Sequence, residues 1–164
     1  MDKRNGNHNA REWVLLSFRL PREPSTPRIA VWRKLKRLGV VQVVDGLVAL
    51  PLSSTNRAQF EAIAGEVQHA DGEALIWIGQ IPSPDDEGRI AERMREAVAT
   101  DYRVLIDHVE AARTEPPGRR RRSVARLRRE LRRIGVRDHF RAAERERAEL
   151  AVEGLAASVE RLAS

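Results

Sequence analysis

The residues best suited to chemistry are arginines crowded between Arg113 and Glu149. This segment holds fourteen arginines, six acidic residues and no lysine, a net charge of +8. The rest of the chain has sixteen basic and eighteen acidic residues, so the whole positive excess lies in this one segment. A guanidinium group presents a planar fork of donors that pairs bidentately with phosphate or carboxylate. The segment therefore indicates an anionic partner.

The spacing within this segment predicts a helix over residues 119–134. Its apolar residues recur at i, i+3, i+7 and i+10: Val124, Leu127, Leu131 and Ile134. Four arginines fall on the opposite side and form a continuous row, named here the arginine ridge: Arg122, Arg126, Arg129 and Arg133. A row that neutralises several phosphates gains affinity from released counterions, whatever the base sequence. The sequence thus predicts contact with double-stranded DNA through the ridge and its flanking arginines, which are Arg119, Arg120, Arg121 and Arg137.

Other interpretations of the arginine segment remain open. It is also compatible with a solvated helix whose arginines pair with Glu130 and with Glu144 to Glu149, and a GC-rich genome likewise favours arginine over lysine. A membrane surface is disfavoured, because the apolar side is aliphatic and has no Trp or Phe between residues 113 and 139. RNA recognition by stacking needs aromatic residues on an open sheet face or loop. All three tryptophans lie in apolar runs or stripes, which favours core packing instead: Trp13, Trp32 and Trp77.

Enzymatic and metal chemistry have little support in the sequence. The four histidines are scattered, with no i, i+4 pair among them: His8, His69, His108 and His139. The chain has no cysteine, which excludes thiolate metal sites and thiol redox chemistry. Three consecutive acids, Asp85 to Glu87, are better explained by a helix start, where the dipole favours anions. We therefore expect no catalytic residue, no metal and no cofactor.

The apolar patterns upstream predict an α+β domain over residues 12–81. A buried strand (Glu12–Phe18) precedes a helix between Thr26, its predicted cap, and Gly39, with an apolar stripe formed by Ile29, Trp32, Leu35 and Leu38. Two β-branched runs joined by Asp45 and Gly46 predict a hairpin with a type I′ turn. A second helix buries Phe60, Ile63, Ala64 and Val67, and a final strand follows. This order is the split βαβ of a ferredoxin-like fold, with two helices on one face of a four-stranded antiparallel sheet.

The remaining residues predict a C-terminal α-helical extension. Residues 82–164 are expected to begin with a long helix whose apolar stripe runs through Ile90, Met94, Val98, Leu105 and Val109. A linker over 113–118 leads to the arginine-rich helix. The chain then ends in a helical hairpin whose last helix is capped by Asp138. The last helix has a seam that pairs with a helix of the same chain or of a second one: Val152, Leu155, Val159 and Leu162. Residues 1–11 are predicted to be a disordered tail, and no run approaches the length of a membrane span. We expect a cytoplasmic homodimer.

Several stretches together resemble the N-terminal part of the ChrB family of chromate-resistance regulators. They are "WVLLSFRLP", "PRIAVWRKLKRLGVVQVVDGLVALP", "FEAIAGEVQHADGEALIWIGQ" and, after the arginine-rich helix, "IGVRDHF". The resemblance implies a transcriptional regulator of a chromate-efflux operon, with chromate or a related oxyanion as effector and with family members continuing into a second domain. The alternative is an oxyanion-sensing or protein-interaction module that does not itself bind DNA.

The ferredoxin-like part is also similar to the domain of PaaX-type repressors and to small nucleases of CRISPR adaptation. The nucleases carry an acidic metal ligand near the end of their first strand. This chain has Ser17, Phe18 and Arg19 there. The difference argues against metal-dependent cleavage.

Overall fold

A computed structural model describes residues 11–161. The predicted tail, apart from Arg11, and Leu162 of the predicted seam lie outside the described residues. The elements are β1 Glu12–Arg19, α1 Thr26–Leu38, β2 Val41–Val44, β3 Leu47–Pro51, α2 Ser54–His69, β4 Glu73–Gln80, α3 Pro84–Arg113, α4 Pro117–Arg137 and α5 Glu144–Arg161. The chain divides into two compact units between Glu92 and Arg93, within α3.

The first unit confirms the predicted ferredoxin-like fold. Its four strands form an antiparallel sheet in the order β2-β3-β1-β4, and α1 and α2 cover one face. β1 lies inside the sheet and pairs with β4 along its whole length. The core beneath the helices includes Val14 and Leu16 of β1, both without solvent exposure. The predicted face of α2 is buried as expected, at Phe60, Ile63, Ala64 and Val67.

Helix α1 buries a different arc from the predicted one. Its buried residues are Val31 and Leu35, whereas Ile29 is 53% exposed. Val31 and Leu35 are one helical turn apart and lie on the same side of the helix. The buried side is therefore rotated relative to the predicted stripe, and Ile29, the first residue of that stripe, faces solvent. Ser25, not Thr26, is the N-cap, and the helix ends at Gly39, whose φ of 72° lies in the left-handed region that glycine adopts without strain.

The β2–β3 hairpin exists, but its predicted type I′ turn is wrong. Gly46 has a φ of 74°, whereas Asp45 is not among the described residues with positive φ, which a type I′ turn requires at both positions. The register also shifts between Gln42 and Val44, so a bulge accommodates the turn. Glycine is required at position 46, because a Cβ there would lie 2.7 Å from the carbonyl oxygen of Phe18.

The second unit is helical, and one apolar core joins its three helices. Val98, Tyr102, Leu105 and Val109 of α3 meet buried residues of α4 and α5 in this core. The predicted stripe of α3 is thus buried from Met94 onward, while Ile90 is half-buried. On α5, Val152 and Leu155 are fully buried in the same core and Val159 is partly buried. The described part of the seam therefore packs mainly against helices of the same chain, which is one of the two partners predicted for it.

The ends of α4 differ from the prediction. α3 continues to Arg113 and α4 begins at Pro117, so the connection is residues 114–116 rather than 113–118. α4 also continues through Gly135, where the prediction ended it, because tertiary packing of Ile134 holds the last turn in place. Asp138 is the C-cap of α4 and not the start of α5, which begins at Glu144.

Candidate nucleic-acid interface

The start of α4 is fixed by Ser123 and by its apolar face. Val124 and Leu127 are buried in the helical core, and the neighbouring Ser123 is a polar residue that is only 6% exposed. The Ser123 hydroxyl donates a 2.6 Å hydrogen bond to Oε2 of Glu115, in the connection that precedes the helix. A buried hydroxyl needs such a partner. This contact sets the orientation of α4 about its axis, and with it the side that faces solvent.

The end of α4 is held by Asp138, whose side chain is 1% exposed. Its Oδ1 accepts from the backbone N–H of Ala142 at 2.9 Å, and its Oδ2 accepts from the Tyr102 hydroxyl at 3.1 Å. Arg145 lies 3.8 Å from Oδ2 and supplies a compensating charge. Burial, reinforced by the negative charge of Asp138, raises the pKa of Tyr102 well above its ordinary value. Tyr102 therefore remains a neutral donor to the carboxylate.

Between these two ends, the four side chains of the arginine ridge are exposed. Their i, i+4, i+7, i+11 spacing keeps them within about 60° of the helix circumference and spreads them over about 16 Å of its axis. Three further arginines of α4 are exposed on its flanks: Arg119, Arg121 and Arg132. Within residues 11–161, none of these seven forms a hydrogen bond or an ion pair through its side chain. The fold thus presents seven uncompensated guanidinium groups on one helix.

Two of the predicted DNA-binding arginines make internal contacts instead. Arg120 is half-buried and donates through Nη2 to the backbone oxygen of Glu115 at 2.9 Å, and its buried Nε has no partner among the described residues. Arg137 pairs through Nη2 with Oδ2 of Asp101 at 2.7 Å. These residues tie α4 to its neighbours. The predicted residues that remain exposed are Arg119, Arg121 and the four of the ridge.

Two further arginines of α4 were absent from the prediction. Arg132 is exposed and unpaired among the described residues, and its position three residues after Arg129 was the available signal. Arg128 forms a two-point contact with Glu153 of α5, at 3.3 Å from Nε and 3.1 Å from Nη2. No local pattern in the sequence indicates this pair, because its members are 25 residues apart.

Three of the acids expected to neutralise the ridge have other partners. Glu130 lies 3.6 Å from Nδ1 of His108, Glu144 lies 3.5 Å from Arg103, and Glu149 accepts from Arg145 at 2.9 Å. The hypothesis of a ridge compensated by these residues is therefore wrong. Its positive charge faces solvent.

The described part of the chain holds no cluster of metal ligands and no helix that could span a membrane. Among residues 11–161, no group of three or more His, Asp or Glu side chains is placed to hold a metal ion. Nor does any helix in that range have the length and apolar character needed to cross a membrane. Asp85, Asp86 and Glu87 lie in the first turn of α3 as predicted, where Glu87 accepts a 3.0 Å hydrogen bond from the indole of Trp13.

The tryptophans divide between core and surface. Trp13 is 1% exposed and Trp32 is half-buried, with its ring edge-on to Phe18 at 5.5 Å, so core packing is confirmed for the first and partly for the second. For Trp77 the prediction is wrong, because this residue is 54% exposed. It lies on the face of β4 opposite α1 and α2, where its indole donates to the Ser17 hydroxyl at 2.9 Å beside an apolar cavity of about 580 Å³.

Comparison with known proteins identifies relatives of the first part of this chain. Residues 28–115 match the family described as Protein ChrB, N-terminal. The chain is also 29% identical over 102 residues to Protein ChrB of Cupriavidus metallidurans, an alignment that covers 62% of this chain and 31% of that protein. The aligned part is thus about a third of that relative's length. The segment matched by the family ends before α4 begins, so the arginine ridge lies beyond it.

Proposed function

Because this chain belongs to the ChrB N-terminal family, we propose that it is a DNA-binding transcriptional regulator associated with chromate resistance. We further propose that the arginine ridge of α4 contacts DNA phosphates. The observation that carries this proposal is the set of seven exposed arginines on α4 that have no partner within residues 11–161. No catalytic step and no metal are part of it.

The electrostatics of α4 favour a polyanion over a compact anion. Duplex DNA carries one negative charge per about 1.7 Å of its axis, so a row of guanidinium groups about 16 Å long passes several phosphates. Because the ridge residues have no internal partner among the described residues, binding breaks no ion pair on the protein. Each phosphate contact then releases counterions, which is favourable at low salt.

The contacts of α4 would position DNA and not specify its sequence. The helix contains no Asn or Gln, the side chains that read adenine bidentately. Arginine rows bound to phosphates fix register and orientation and carry little base information. We therefore expect α4 to contribute most of the salt-dependent affinity, with sequence preference arising elsewhere.

The test replaces Arg126, Arg129 and Arg133 by alanine. Removing three guanidinium groups that each meet a phosphate should flatten the log–log slope of affinity against salt by about 2.7, and affinity at about 0.1 M salt should fall by a factor of about 10² to 10³. The measurement is a titration into a labelled duplex from upstream of the gene and into a scrambled duplex, at several salt concentrations.

The matched control is the triple alanine variant at Arg28, Arg33 and Arg37, which removes the same charge from exposed positions of α1. It should change affinity by less than about tenfold, through net charge alone. Equal losses of affinity in the two triple variants would mean that the ridge acts only through net charge and not through specific phosphate contacts. Unchanged binding in the α4 variant would refute the proposal.

The same titration with chromate tests the effector. Weaker binding to the native duplex in the presence of chromate would support a sensor-regulator. Chromate binding by a protein that binds neither duplex would favour the alternative, an oxyanion-sensing module without DNA binding of its own.

A further inference from the structure

The two edges of the sheet differ in their protection. β2, at one edge, has four residues and a register irregularity between Gln42 and Val44. β4, at the other edge, has eight residues, all paired with β1 in unbroken register. Short length and bulges are the devices by which proteins prevent strand edges from pairing with other chains. β2 has both, and β4 has neither.

The composition of β4 makes its edge still more open to pairing. Its sequence EALIWIGQ has no proline, and its only charged residue is Glu73 at the first position. Three of its apolar side chains are exposed: Leu75 at 61%, Trp77 at 54% and Ile78 at 49%. Within residues 11–161, no strand pairs with the outer edge. A long, regular, apolar edge of this kind is a template for another strand.

We propose that the outer edge of β4 pairs antiparallel with β4 of a second copy of this chain, which joins two four-stranded sheets into one of eight strands. The strand is complementary to itself in charge. Antiparallel pairing puts the two Glu73 carboxylates at opposite ends of the new ladder, so no like charges meet, and every central pair is apolar. A partner strand from an unrelated protein has no such built-in match.

Two-fold symmetry restricts the register of this ladder. The axis that relates neighbouring antiparallel strands is perpendicular to the sheet, so residues opposite each other lie on the same face. The ladder must therefore be centred on a single residue, and Ile76 and Trp77 are the central choices. The first places Leu75 of one copy opposite Trp77 of the other, and the second pairs the two Trp77 side chains. In both, the faces opposite α1 and α2 of the two sheets lie on the same side.

The seam of α5 contributes little to a competing interface. Val152 and Leu155 are fully buried inside one chain, so they are not available to a second copy. The β4 edge remains as an apolar, self-complementary surface of the first unit. Pairing at this edge does not require α4 to bind DNA, since it depends on the sheet alone.

Sedimentation equilibrium of the full chain tests the proposal, with Leu75→Lys as the disrupting variant. A charge placed in the apolar centre of the ladder should raise the dimer dissociation constant at least about tenfold. Val44→Lys is the matched control, because Val44 is 60% exposed on the other edge strand, and it should leave the constant unchanged. A wild-type chain that is monomeric at about 100 µM, or a dimer that survives Leu75→Lys, would overturn the proposal.

Engineered cysteines give a second test that does not depend on how the lysine variant folds. The chain has no cysteine, so a single introduced thiol can form a disulfide only with the same residue of a second chain. Disulfides need Cβ atoms about 3.5–4.5 Å apart, which only a residue at the centre of the ladder provides. We expect either Ile76→Cys or Trp77→Cys to form a covalent dimer on mild oxidation, and the reactive one identifies the register. Failure of both, or equal reaction of Val44→Cys, would refute the pairing.

Discussion

α1 and α4 are both basic helices, and they differ in how many unpaired cations they present. α1 carries five basic residues in thirteen, of which Lys34 forms an ion pair with Glu66 and Arg37 bonds to the backbone of Arg33. The other three have no side-chain partner within residues 11–161: Arg28, Arg33 and Lys36. α4 carries ten arginines in twenty-one residues, and seven of them have no partner within the same range. The share left unpaired is similar in the two helices, so α4 presents more charge because it holds more arginine.

The two helices also differ in how they are anchored. α1 is held by two apolar side chains, Val31 and Leu35, and ends at a left-handed glycine. α4 has an apolar face as well, but both of its ends depend on buried polar contacts, through Ser123 at the start and Asp138 at the end. The helix proposed to contact DNA is thus held at both ends by buried polar contacts, whereas α1 is held mainly by apolar packing. Three experiments test this difference between the two helices.

The largest expected effect is that of Asp138→Ala on stability. The substitution leaves the Ala142 N–H and the Tyr102 hydroxyl without their shared acceptor, while Arg145 keeps its pair with Glu149, so we expect a loss of about 2–4 kcal/mol. Lys34→Ala on α1 should cost less than about 1 kcal/mol, because that pair is partly exposed. Urea unfolding followed by circular dichroism measures both. Similar losses of stability would contradict the difference in anchoring.

The next effect is a loss of stability at high pH. Tyr102 is the only tyrosine, and its pKa is raised by burial and then by Asp138. The unfolded chain releases this proton near about pH 10 while the native chain keeps it, so stability should fall by about 1.4 kcal/mol per pH unit above about pH 10. Tyrosinate absorbance should rise only on unfolding. Ionisation of the native protein at the ordinary tyrosine pKa would contradict the assignment, and Tyr102→Phe should abolish the pH dependence.

The smallest effect is a gain in DNA binding by Glu153→Gln. Removing this carboxylate frees Arg128 for one more phosphate contact, so the salt slope should steepen by about 0.9 and affinity should rise by several-fold. Titration into the same labelled duplex measures the change. Glu66→Gln frees Lys34 on α1 in the same way and serves as the control. An equal gain in both variants would mean that only net charge matters.

Much of the fold follows from local sequence patterns. The sheet and its two helices were predictable because strand runs, the Asp45–Gly46 turn and helix-ending glycines are signals within a few residues of each other. The exposed ridge followed from the apolar stripe of α4, since the side opposite a buried stripe faces solvent. The stripe of α1 was predicted less well, because Val31 and Ile29 are both apolar and only the angle of packing chooses between them.

The features that were missed depend on distant partners. Arg137 meets Asp101 across 36 residues, and no periodicity within α4 reveals that contact. Trp77 lies in an apolar run that looks buried, but β4 is an edge strand, and the indole is exposed on the face opposite α1 and α2. Burial of that run depended on the order of strands in the sheet, which the run itself does not encode.

The long helix α3 depends on helices that lie beyond the family match. The segment shared with the ChrB N-terminal family, residues 28–115, includes all of α3 and stops before the two helices that cover it. A chain that kept only this segment would leave Tyr102, Leu105 and Val109 in water. The α3 stripe therefore needs a cover, which in this chain is supplied by α4 and α5. In this chain the cover is also the most basic surface.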